Sequence, residues 1–414
     1  MTVPAPLTST TLLLPTQVGP DEIDDAVLRT LGGPKVRQAI VLDMSEVAHV
    51  EPAALVYLVA ALASAKQSKI VAEFSLALPQ TPRVRDFLRR WKFGSALTRV
   101  LELDSTKDEI LTEASQRYRI EDQGNYRHYA PSRRMTPEGD LVELTSKRFF
   151  STRIHRLDEL TQSATEFAEE QQEEWDSPDI RAVLESHLGR RANLVAPGVV
   201  YEAIMNAAFH PGARTLIVLS HLNEKATKKY RHGLLTISLW DDGHAITETL
   251  RAALVEGVPL RTDDFDHYYD WYAIYKARAG THDDWQAETT RHSAKLEIGD
   301  TATDVDLLLA STYPGVSSAH DRSVAHVEAG AMGHGWEKSG MGLYILASIA
   351  IDSFGGEVAL RSGNGFVNIK RATGYDQREL RCRYRCNSFT TPSRSLAFVG
   401  NHITVRIPLL PKRP

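Results

Sequence analysis

The sequence predicts an α/β protein of the α+β two-layer kind, and three observations carry that expectation. Residues 38–103 alternate short apolar runs with helical stretches, the texture of strand–helix units packed in layers. The C-terminal half again interleaves alternating-pattern strands with helices. A length of 414 residues exceeds one typical domain, so two or three cores are expected. With 42% of residues apolar and 24% charged, the composition excludes a mostly disordered chain.

Residues 38–44 (QAIVLDM) form a short apolar run suited to a buried strand. Pro52 then opens an Ala/Leu-rich helix, where proline is tolerated in the first turn. That apolar stretch, residues 52–65, is too short to cross a bilayer core of about 30 Å, so a core helix of a soluble protein is expected. Residues 69–78 read as a second strand and 81–91 as an amphipathic helix. From about 116 to 155 Pro, Gly and charge mix without period, which predicts a linker or irregular segment. Its arginines alternate with tyrosines, a composition that suits nucleic acid and equally a solvated linker. Helices return at 157–175 and 179–188, and no internal repeat follows.

Charge and cysteine content narrow the function classes. The net charge of −5 gives no global pull toward DNA or an anionic membrane. Two cysteines build no disulfide framework, so a reducing cytoplasm is the expected compartment. The opening segment has no basic residue ahead of its apolar run at 12–14 and does not read as a signal peptide.

Three separated segments carry candidate chemistry. In residues 199–210 (VVYEAIMNAAFH), Glu202, Asn206 and His210 recur every four positions and share a helix face. An amide in so apolar a helix needs a partner, since a buried unpaired one costs about 1–3 kcal/mol. A hard cation such as Mg2+ would be one, with the side-chain oxygen as ligand. In residues 234–246 (LLTISLWDDGHAI), an alternating strand runs into Asp241, Asp242 and Gly243. A carboxylate there can accept from an exocyclic amine while the glycine lets a flat ring approach; a plain Asp–Gly turn has the same sequence. In residues 333–346 (GHGWEKSGMGLYIL), Gly340 and Gly342 sit where an apolar helix begins, which suits an anion at exposed N–H groups or simple tight packing.

Together and in this order the three segments resemble the GHKL ATPase superfamily of gyrase, heat-shock chaperones, histidine kinases and MutL, over roughly residues 156–412. The first looks like that family's N box, the second its G1 box, the third its G2 region. The resemblance implies a Bergerat-type ATP-binding α/β sandwich over 156–414, with ATP and Mg2+ as cofactors. It implies Glu202 as general base or orienter of the attacking nucleophile and Asn206 as magnesium ligand, with His210, where several small signalling kinases of the family also carry His, counted among the cofactor-binding residues. Asp241 would receive the adenine amine, with Gly243 and Ile246 beside the ring. Lys338, Gly340, Gly342 and Leu343 would belong to the phosphate-binding turn, and Thr404 would lie beside adenine. Ala245 stands where the G1 box usually has a second glycine, and an insert occupies about 247–332. That insert holds an aromatic helix candidate at 265–275.

Residues 1–115, through the run QAIVLDMSEVAHVEPAALVYLVAAL, resemble a STAS domain. Phospho-regulated members carry a serine at the start of the helix where this chain has Pro52, so a docking or dimerising role is implied, giving a protein partner or a homodimer. Cys382 and Cys386 are too few for a structural zinc site and lie in an alternating strand pattern. The reading is a cytoplasmic Mg2+-dependent ATP-binding protein that hydrolyses ATP or transfers its γ-phosphate in signalling or regulation, as an ATPase or an anti-sigma-like serine/threonine kinase. The alternative is a nucleotide-gated scaffold or ATP-driven switch, acting on protein or nucleic acid without kinase activity.

Overall fold

The computed structural model describes residues 8–31, 38–101, 132–135, 141–145, 148–209, 212–224, 229–256, 260–261, 268–269, 285–289, 291–292, 297–298, 302–312, 342–371, 382–390 and 398–411. The fold is α/β, with parallel and antiparallel sheets. In the N-terminal unit, β1 (Thr8–Leu13), β3 (Gln38–Asp43) and β5 (Val71–Ala77) form a parallel three-stranded sheet in the order β1-β3-β5. A two-residue ladder, β2 (Gln17–Val18) with β4 (His49–Val50), lies beside α1 (Pro20–Leu31) and α2 (Pro52–Gln67) in sequence. The helices α3 (Pro82–Arg90) and α4 (Phe93–Leu101) complete it. Pro52 and Pro82 each stand in the first turn of their helix, where their missing N–H groups cost nothing.

The larger part is built on a ten-stranded sheet. Its strands include β6 (Ser132–Met135), β7 (Leu141–Thr145), β8 (Arg148–Arg156), β9 (Thr215–Asn223) and β10 (Leu234–Asp241). The short ladders β11 (Leu260–Arg261) with β15 (Glu297–Ile298) and β12 (Tyr268–Tyr269) with β14 (Arg291–His292) stand apart from it. Adding β13 (Trp285–Thr289), β16 (Glu357–Gly363), β17 (Gly365–Arg371), β18 (Cys382–Thr390) and β19 (Phe398–Pro408), the order is β13-β18-β17-β16-β19-β10-β9-β8-β7-β6, with every neighbouring pair antiparallel.

Two expectations change here. The stretch 116–155 read as a linker carries β6, β7 and most of β8, because ladder pairing of β8 on β9, β7 on β8 and β6 on β7 holds strands whose own sequence has no clean period. Within the expected aromatic helix at 265–275, Tyr268 and Tyr269 form a strand paired to His292 and Arg291; its other residues lie outside the described ones.

The middle of the sheet, around β9, β10 and β19, is covered on both faces. One face holds the helices α5 (Ala164–Trp175), α6 (Pro178–Leu188), α7 (Glu202–Phe209), α8 (Ile246–Val255), α9 (Asp304–Ala310) and α10 (Gly342–Ser348). Residues Leu235, Ile237 and Leu239 of β10 and Ile403, Val405 and Ile407 of β19 point into this core. The opposite face receives the N-terminal unit: Ile217, Leu219, Trp240 and Phe398 join the core of α2. Helix α2 touches β5 of its own sheet and β9, β10 and β19 of the large one, which explains why it is apolar all round, with Ala53 to Ala65 buried throughout. Among the described residues, no helix is long and apolar enough to cross a membrane.

Candidate functional site

Helix α7 follows a π-helical turn, Ala196–Tyr201, and buries Ala203, Ile204 and Ala207 in the core. That orientation leaves Glu202 and Asn206, one turn apart, half-buried on the adjoining face. The Asn206 side-chain N–H donates to the Glu202 carbonyl oxygen at 2.6 Å. Committing the amide nitrogen to the helix leaves Oδ1 as the atom suited to a hard cation. Burial pushes the Glu202 carboxyl up to about 7.

Gly342, the first residue of α10, lies directly against this pair. A Cβ at that position would stand 2.6 Å from Asn206 Nδ2 and 2.9 Å from Glu202 Oε2. A side chain there would have to displace the ends of the Asn206 and Glu202 side chains, so Gly342 lets both keep these positions.

The second half of the site stands at the end of β10. Asp241, 1% exposed, accepts from the Gly243 N–H at 3.0 Å and from the Asn401 amide at 3.2 Å. The same Asn401 nitrogen reaches the His244 carbonyl at 3.0 Å. Its Oδ1 accepts the Ile246 N–H at 2.8 Å and the Ser362 hydroxyl at 2.6 Å. One amide thus locks the turn between β10 and α8 to β16 and β19. Next to it, Asp242 Oδ1 accepts the N–H groups of Arg214 and Thr215, both at 2.7 Å. Those bonds tie the turn to the segment joining α7 to β9. Since Asp241 pairs with Leu216 near the start of β9 and α7 ends at Phe209, Asp241 stands at the end of the sheet that α7 runs toward.

None of three comparisons, with models of protein families, with curated proteins and with solved structures, finds a match for this chain. What the site can do is therefore read from its own atoms.

Glu202, Asn206 and Gly342 come together, Ile246 and Leu343 share the core between sheet and helices, and Asp241 and Gly243 are joined by a hydrogen bond at the end of β10. Ile246 and Leu343 are buried core residues, so they bound the site by packing. Thr404 does not join them. On β19 it points to the face opposite Ile403 and Val405, where it meets the Ser238 hydroxyl at 2.9 Å and His402 Nε2 at 3.2 Å. Strand alternation puts Asn401 on the Asp241 face and Thr404 behind it, so the last-strand polar contact to Asp241 is Asn401. The signal for Asn401 was a polar side chain in phase with Ile403, Val405 and Ile407. His210, Lys338 and Gly340 lie outside the described residues. Among the described residues, no group of three or more His, Cys, Asp or Glu side chains could hold a metal ion, so a cation here would need oxygens from its ligand as well as Asn206.

Proposed function

We propose that the chain is a Mg2+-dependent ATP-binding protein of the GHKL type that hydrolyses ATP or transfers its γ-phosphate in signalling or regulation. The observation that carries this reading is the contact of Gly342 with both Glu202 and Asn206, which joins two segments about 140 residues apart in sequence. The residues suit the cofactors. Asn206 would ligate Mg2+ through Oδ1, Gly342 would bring its turn to the phosphates, and Asp241 would accept the adenine amine. Bound Mg2+ supplies charge neutralisation on the β and γ phosphates. Glu202, held near neutrality, is suited to take a proton from water or a hydroxyl at pH 7.

The N-terminal unit, read as STAS-like, supports a signalling role and a protein partner. Because α2 is enclosed between its own sheet and the large one, a partner would dock on another surface of that unit. A cytoplasmic location belongs to this proposal and rests on the two cysteines.

Asn206→Ala is expected to abolish Mg2+-ATP binding in calorimetry, and unchanged affinity would discard the metal role. Incubation with γ-labelled ATP then separates the activities: label on protein means kinase, free phosphate means ATPase, and neither means a nucleotide-gated scaffold.

A further inference from the structure

A single hydrogen bond carries the N-terminal unit into the one irregular stretch of β19, two residues from Asn401. Ser64, fully buried in α2, donates to the Ala60 carbonyl at 2.8 Å and accepts the Val399 N–H at 2.8 Å. The acceptor is needed because the ladder provides none. Opposite β16, Ser362 pairs with Asn401 and Gly363 with Phe398, so Val399 and Gly400 bulge out of register. On the β10 side the pairing ends at Asp241 and Asn401.

The bulge has little slack toward the site. Gly400 sits at φ +71°, and a Cβ there would fall inside contact distance of the Asp241 carbonyl oxygen. The Val399 carbonyl accepts the Trp240 indole N–H at 3.0 Å, and Trp240 immediately precedes Asp241. Beside it, Tyr57 of α2 stacks on Phe398 with ring centroids 5.3 Å apart. Both backbone polar groups of Val399 are thereby fixed, one by α2 and one by β10.

We propose that Ser64 is a positioning residue for the Asp241 site: through the Val399–Gly400 bulge, the N-terminal unit holds Asn401 and the Asp241 carboxylate in place and so sets the affinity for an adenine nucleotide. The affinity half of this rests on the nucleotide reading above; the mechanical half does not. Losing the Ser64 hydroxyl leaves the Val399 N–H buried without an acceptor. The bulge then shifts, and Asn401 loses its aim at both Asp241 and Ile246.

The test uses the full chain with Ser64→Ala, Ser64→Thr and, as a control, Glu51→Gln, which removes the charge from the contact of Arg406 with the far end of α2. Amide hydrogen exchange at Gly243 and Ile246, whose N–H groups bond to Asp241 and Asn401, is expected to speed up about tenfold in Ser64→Ala. It should stay at the wild-type rate in Glu51→Gln and in Ser64→Thr. Calorimetry with ATP and MgCl2 should show about tenfold weaker binding in Ser64→Ala alone. Unchanged exchange in Ser64→Ala, or equal acceleration in Glu51→Gln, would overturn the proposal, as would faster exchange with unaltered affinity. A wild-type chain that binds no ATP would instead sink the nucleotide reading, and the exchange rates would still decide the coupling.

Discussion

At Glu202 a single carboxyl links stability to chemistry. It lies half-buried on α7 against Gly342, and burial raises it to about 7 from an ordinary value of 4.5. A carboxyl raised on folding favours the folded state below pH 4.5, and that advantage fades as pH rises through 7. Glu202→Gln keeps the shape and removes the charge. The variant is therefore expected to be more stable than wild type at pH 8 by about 1–3 kcal/mol, a range discounted for partial exposure, with the difference gone by pH 4. Urea unfolding at the two pH values checks this, and an equal difference at both would remove Glu202 as the titrating group. As the proposed base, the same residue should confer activity that rises through pH 7. Its replacement should cost turnover about 10²–10⁴-fold while nucleotide still binds.

The elements show where a strand's position depends on one backbone approach. At the start of β19, Gly400 has φ +71° and leaves no room for a side chain over the Asp241 carbonyl. Gly400→Ala must move backbone against backbone, since no flexible side chain can yield there. The expected loss is about 3 kcal/mol or more, measured by urea unfolding; a loss below about 1 kcal/mol would mean that β19 and β10 do not meet this closely. That contact could not be read from sequence, because it depends on register between strands some 160 residues apart. The same blindness placed Thr404 on the Asp241 side, where Asn401 stands: alternation was legible in the strand, but which phase faced Asp241 was not. Other parts were plain. The apolar run of α2, its opening Pro52 and the alternating β10 ending at Asp241 all follow local rules. Strand β8 was illegible for a physical reason. Arg153 faces Gln171 and Glu174 of α5 while Ile154 packs on the N-terminal unit. With both faces covered, neither phase is consistently polar, and the period-2 signal vanishes.

Across the whole molecule, a charged cluster at the edge of the joint links the two units, with Glu357 buried and Glu51 and Lys229 half exposed. Arg406 of β19 bonds Glu357 of β16 at 2.9 Å and Glu51 of the N-terminal unit at 3.0 Å, and Lys229 reaches Glu357 at 2.6 Å. Burial alone would push the Glu357 carboxyl up, but Arg406 and Lys229 outweigh it and hold the group below the usual carboxylate range. Nearby, His402 is buried between Ser238, Thr404 and the edge of the Tyr57 ring. Burial first, then Arg406 and Arg361, lower it to about 3. A histidine depressed on folding stabilises the protein above pH 6.5 and gives that stability up as pH falls toward 3. At pH 4.5 the loss from this group is about 2–3 kcal/mol, and Glu357 adds to it in the same direction. Because the apolar cluster of α2 includes Trp240 and Phe398 of the large sheet, protonating His402 strikes the joint between units and not one unit alone. Calorimetric scans are therefore expected to show one cooperative transition at pH 7.5, with a midpoint that drops on acidification to pH 4.5. In His402→Gln, which keeps a hydrogen-bonding side chain without the titration, the drop should be smaller. Equal drops in both proteins would mean that the joint's acid sensitivity lies elsewhere.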